Sequence, residues 1–106
     1  MSDITMFYVP CANKAEAVKI ARALVEQRLV ACANIHENCI SIYEWKGEIM
    51  EETEAILILK TVKSLQLEVE KEIAELHSYD CPGIVAWETD EVNLPFEKWI
   101  NAHTKH

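Results

Sequence analysis

The stretch Cys32–Thr61, CANIHENCISIYEWKGEIMEETEAILILKT, limits what this chain can fold into more than any other part of it. The turn dipeptide Lys46-Gly47 stands near its middle. Ile40-Ser41-Ile42-Tyr43-Glu44-Trp45 precedes the turn, and the apolar run Ala55–Leu59 follows it. β-Branched and aromatic residues on both sides of a glycine-bearing turn read as a hairpin, because glycine accepts the positive φ that a tight turn requires. With pairing continued from Asn34 to Thr61, each arm is about twice the usual strand length of roughly 5–6 residues. A chain of 106 residues has little left over to cover such a ribbon. The arms therefore point to other subunits as their cover.

That length suits one domain over residues 1–106, large enough for a single core. Half the residues are hydrophobic and only two are glycine, so a packed globule is expected. Ten Lys and Arg against eighteen Asp and Glu give a formal charge of −8. Such a surface repels phosphate backbones, and no basic cluster offsets it, which argues against a nucleic-acid partner. The charge serves solubility; attraction for cations is the functional alternative.

Met1-Ser2-Asp3 carries no basic leader, and the Ile4–Val9 run is shorter than the roughly 7–15 residues of a signal-peptide core. No apolar run approaches the roughly 18–20 residues of a membrane span. The expectation is a cytoplasmic protein with no membrane partner, in which Cys11, Cys32, Cys39 and Cys81 stay reduced. None of them forms a C-x-x-C pair, so neither a zinc knuckle nor a thioredoxin-type motif is encoded.

Asp3–Pro10 reads as a buried strand stopped by Pro10. Asn13 caps a helix that runs to about Arg28, with Ala17, Ile20, Ala21, Leu24 and the stem of Arg28 as its inward face. After the hairpin, Leu65, Val69, Ile73 and Leu76 recur at helical spacing in a second amphipathic helix ending near His77. Asp80-Cys81-Pro82-Gly83 is turn chemistry, Ile84–Trp87 a fourth strand, and Leu94–Ala102 a short terminal helix. The order β-α-β-β-α-β plus a tail helix describes an α+β, ferredoxin-like split βαβ fold with both helices on one face of an antiparallel sheet. Tyr8, Ile42, Ile56, Ile58 and Trp87 are too many large apolar groups for the helix-covered face alone. Burying an open face on the order of several hundred Å² at about 25 cal/mol per Å² favours a homo-oligomer.

Ala31-Cys32-Ala33-Asn34, Ser41-Ile42-Tyr43-Glu44-Trp45-Lys46-Gly47, Glu54 followed by Ile58-Leu59-Lys60-Thr61, His77-Ser78-Tyr79 and Trp99-Ile100 occur in this order along the chain. In these phrases it resembles the CutA family of divalent-cation tolerance proteins. The resemblance implies a ferredoxin-like domain assembled as a homotrimer whose long hairpins extend one another's sheets. It also implies binding of copper or other divalent ions, a role in metal tolerance, and an architecture similar to PII-type signalling proteins. Two departures stand out: Ser78 replaces the family's usual proline, and Gly83 stands where an acid is expected.

Cys32 matches the family's cysteine, His77 its histidine, and Cys11 lies at the end of the neighbouring strand. Thiolate and imidazole suit copper or zinc, so Cys32, His77 and Cys11 are the metal-ligand candidates, in that order. The plainer reading makes both cysteines packed core thiols and His77 a helix C-terminal group. Tyr43, Trp45, Glu54, Lys60, Tyr79 and Trp99 also fall on motif positions. They suit either subunit contacts or an intersubunit cleft in which Lys60 holds a small anion, as in a PII-like signalling trimer. No nucleophile elbow, zinc-protease, P-loop or dinucleotide motif is present, so no enzyme activity is expected.

Overall fold

The computed structural model describes residues 2–106. The chain runs β1 (Ile4–Cys11), α1 (Lys14–Glu26), β2 (Cys32–Trp45), β3 (Glu48–Val62), a single 3-10 turn (Lys63–Leu65), α2 (Gln66–Leu76), β4 (Val85–Glu88) and α3 (Leu94–Ala102). The four strands form one antiparallel sheet in the order β2-β3-β1-β4. This is a mixed α+β architecture.

The hairpin forms because Lys46 and Gly47 both take positive φ, 51° and 84°, which matches the twist of the flanking strands. Its ladder runs from Trp45 opposite Glu48 to Cys32 opposite Lys60. One irregularity interrupts it, between His36 and Cys39, where Asn38 adopts φ +59° and β2 carries an extra residue. Beyond that bulge the arms project from the domain. Ile42 is 67 % exposed and Ile49 74 %.

Helix α1 starts where Asn13 Oδ1 accepts the Glu16 N–H at 2.9 Å. The Glu16 carboxylate reaches back to accept the Ala12 N–H, also at 2.9 Å. Ala17, Ile20, Ala21 and Leu24 are its buried face. They pack with Val69 and Ile73 of α2 and with Phe7, Val9, Leu57 and Leu59 of the sheet into one core.

Three expectations need correction. Pro10 does not end the first strand: β1 continues to Cys11, and Pro10 pairs with Ile56 of β3. The β4 ladder has already stopped at Tyr8 opposite Val85, so the missing Pro10 N–H leaves no partner unsatisfied. Arg28 does not belong to the inward face of α1. It leaves the helix at φ +59°, flanked by hydrogen bonds Arg28 N to Val25 O and Leu29 N to Leu24 O, and its guanidinium donates to the Ala102 carbonyl at 2.7 Å. Ile56 shares the sheet face of Tyr8 and Ile58, as expected, but that face is not open at its position, since only 4 % of Ile56 is exposed. Tyr8, Val85 and Trp87 do remain exposed, on the face away from the helices.

Candidate metal-binding site

The C-terminal end of β1, the first turn of α1 and the residue following α2 meet at one end of the sheet. They bring together Cys11, Glu16 and His77, whose donor atoms all lie within 4.8 Å of one another. Cys11 and the His77 side chain have no exposed surface, and the Glu16 side chain is 12 % exposed.

Each group is held by the backbone around it. Glu16 accepts the Ala12 N–H through one oxygen and the Ser78 N–H, at 2.8 Å, through the other, so it ties the strand-to-helix turn to the segment after α2. His77 Nδ1 accepts the Tyr79 N–H at 3.1 Å, which puts the ring proton on Nε2; that proton is donated to the Pro10 carbonyl at 2.8 Å. The imidazole is therefore neutral. Its 3.9 Å approach to Glu16 is a contact between two acceptor atoms rather than an ion pair. Cys11 donates weakly to Val9 O.

Electrostatics follow from this burial. Desolvation, reinforced by the Glu16 and Glu54 charges, pushes the Cys11 thiol up to about 12. Burial also raises the Glu16 carboxyl, but hydrogen bonds from Ser78 and Ala12 outweigh it and hold the group below its ordinary value. The cluster thus sets a thiol held protonated by burial and a carboxyl held ionised by its hydrogen bonds beside an imidazole whose Nδ1 accepts the Tyr79 N–H. An ion held by the sulfur would expel the thiol proton, and one held by Nδ1 would displace the Tyr79 N–H.

Cys32 does not reach this cluster within one chain. It pairs with Lys60, five positions along β3 from the Ala55 that faces Cys11, a separation of roughly 16 Å along the strand. The alternation of β3 also puts it on the opposite face of the sheet. Glu16 is the member that the sequence reading missed. Three residues after the cap Asn13, it reads in the sequence as a capping acid, whereas that same first-turn position puts the carboxylate against the end of the preceding strand.

Of the six cleft candidates, one pair meets. Tyr79 donates its hydroxyl to Glu54 Oε2 at 2.7 Å, and its ring stacks at a tilt 4.6 Å from His77. Burial and the Glu54 charge push the Tyr79 phenol well above its ordinary value. The other four stand apart. Tyr43 donates to Glu52 at 2.5 Å, Lys60 to Asn34 at 2.7 Å, and Trp45 lies exposed at the hairpin tip under Lys46. Trp99 stacks between Phe96 and His103 on α3. A cleft of about 450 Å³ does open beside the Cys11, Glu16 and His77 cluster, between Ala12–Ala15 and the hairpin at Glu37, Asn38 and Thr53–Ala55. Among the six candidates only Glu54 lines it.

Residues 5–103 match the family model described as CutA1 divalent ion tolerance protein. The chain belongs to the CutA1 family. It is 35 % identical over 103 residues to the Homo sapiens Protein CutA, covering 97 % of this chain and 58 % of the human one. It thus spans little more than half the length of that relative. The crystal structure of the CutA1 divalent ion tolerance protein from Ehrlichia chaffeensis superposes with a TM-score of 0.95 at 35 % identity, over 100 % of this chain and 99 % of that one. The Archaeoglobus fulgidus protein, described as a periplasmic divalent cation tolerance protein CutA, gives 0.92 at 32 % identity, over 96 % and 99 %. No described helix of this CutA1 chain is long and apolar enough to cross a membrane.

Proposed function

We propose that this CutA1 chain assembles as a homotrimer of ferredoxin-like subunits, binds a divalent ion, copper or zinc foremost, and so contributes to metal tolerance without catalysing a reaction. One observation carries the reading: a sulfur, a ring nitrogen and a carboxylate oxygen converge within 4.8 Å at the C-terminal end of β1. One thiolate, one imidazole and one carboxylate form a borderline donor set suited to these ions, and three protein ligands leave a coordination position open. Cys11, Glu16 and His77 would hold the ion. Cys32 joins them only where a neighbouring subunit presents it.

The trimer is supported by the exposed apolar groups of the projecting hairpin and of the open face, Ile40, Ile42, Trp45, Ile49, Val85 and Trp87. A reduced Cys11 is what the site requires, so the reading places the protein in the cytoplasm. The rival reading, a PII-like trimer with a small anion at Lys60, Tyr43 and Trp45, needs neighbouring subunits to bring these scattered groups together.

The test is titration of the reduced, tag-free protein with Zn(II) and copper, followed by mass spectrometry under native conditions. The expected result is a trimer with saturable loading that Cys11→Ser abolishes and Glu16→Gln weakens. Loading of a Cys11→Ser, His77→Ala variant equal to that of the unaltered protein would overturn the assignment.

A further inference from the structure

The cluster of donors is walled off, since neither Cys11 nor the His77 side chain touches solvent. An ion can reach them only if something moves. Helices α1 and α2 are held by their buried faces, and β1 is an inner strand paired on both edges. The segment from Ser78 to Ile84 has no fully buried residue. Three hydrogen bonds pin its first two residues: Ser78 N–H to Glu16, Tyr79 N–H to His77, and Tyr79 O–H to Glu54. The first two end on proposed metal donors, and the third crosses to β3.

Glu54 also lines the 450 Å³ cleft, as do Ala12 and Ala55. Ala12 is hydrogen-bonded to Glu16, and Ala55 lies opposite Cys11 in the ladder. The inner wall of the cleft is thus the outer wall of the donor cluster.

The geometry points to a lid: residues 78–83 close the metal site, the Tyr79–Glu54 hydrogen bond is its latch, and the cleft beside the start of α1 is the entry for a divalent cation. This rests on the metal-site reading above. Release of Tyr79 does two things at once. It leaves the Glu54 carboxylate free of its partner at the cleft wall, where it attracts a cation, and it withdraws the N–H that occupies His77 Nδ1. Lid position and imidazole availability are therefore coupled through one residue. Tyr79 acts as a positioning residue, not as a ligand.

The test separates the lid from the metal. In a chain carrying Cys32→Ser, Cys39→Ser and Cys81→Ser, Cys11 is the sole thiol, and its reaction with an aromatic disulfide reports opening. Tyr79→Phe removes a hydrogen bond to a carboxylate and should speed that reaction about tenfold or more. Hydrogen exchange of the amides at 78–84 should rise by a similar factor while those of α2 stay unchanged. Both association and dissociation of Zn(II) should quicken in Tyr79→Phe with its cysteines intact. Exchange in that single variant carries the test should the triply substituted chain fail to fold. Labelling and exchange as slow as in the parent, or exchange accelerated equally throughout α2, would overturn the lid. Faster labelling and exchange with no Zn(II) bound would uphold the lid and overturn the metal reading.

Discussion

Glu16→Gln is the perturbation whose size can be worked out most directly. The carboxylate accepts two backbone N–H groups, from Ala12 at 2.9 Å and Ser78 at 2.8 Å. Hydrogen bonds to a charged group contribute about 1.5–3 kcal/mol each, which bounds the pair at roughly 3–6 kcal/mol. Ser78 is exposed and Ala12 half-buried, so water replaces part of that loss. Glutamine also keeps one acceptor oxygen. The expected cost is therefore about 2 kcal/mol at pH 7. Because Glu16 lies below its ordinary value of 4.5 in the folded chain, its contribution is fully present above pH 4.5. It is lost as the pH falls through the folded value, where the protonated acid behaves much as glutamine does. Guanidinium unfolding of both proteins at fixed concentration, at pH 7 and again at pH 3, measures the gap at each end. The gap should be about 2 kcal/mol at pH 7 and shrink at pH 3. No gap at pH 7, or one of equal size at both values, would refute the role given to the two hydrogen bonds.

Ile73 has no exposed surface and joins α2 to the core, so Ile73→Ala should cost about 2–5 kcal/mol in the same unfolding assay. A loss below about 1 kcal/mol would mean that α2 does not pack as described. Lys46 takes φ +51° at the exposed hairpin turn, a conformation that asparagine accepts more readily. Lys46→Asn should leave the fold intact and raise the unfolding free energy by a few tenths of a kcal/mol, up to about 1; a lower midpoint would contradict the turn geometry.

Much of the fold could be read in the sequence because its signals are local. Lys46-Gly47 announced the turn, Asn13 the start of α1, and the spacing of Leu65, Val69 and Ile73 the second helix. The misreadings came where a neighbour overrode the local rule. Pro10 breaks strands only when its missing N–H faces a partner, and here β4 has ended before it. Arg28 continued the helical spacing, yet the chain turns at φ +59° beneath the end of α3. The site was half legible. Cys11 and His77 carried visible chemistry, but their meeting depends on which ends of the strand and helices coincide, and no spacing encodes that. Glu16 was hidden by its capping duty. Cys32 matched a family phrase of its own, yet it lies on the other face of the sheet, because strand alternation rather than a motif match assigns sides.

The inner place of β1 has a consequence during synthesis. Ile4 accepts hydrogen bonds from Thr89, 85 positions downstream, through both the backbone N–H and the hydroxyl. At about 5–20 residues per second, roughly 4–17 s separate the emergence of the two. For that interval β1 presents Ile4, Phe7 and Val9 with one ladder edge vacant, and contacts between such distant partners close slowly. Asp3 just before the strand and Pro10 within it supply a charge and a missing donor, the two features that discourage pairing with a stranger's strand. The residue that looked like a strand terminator thus guards the nascent strand until β4 arrives.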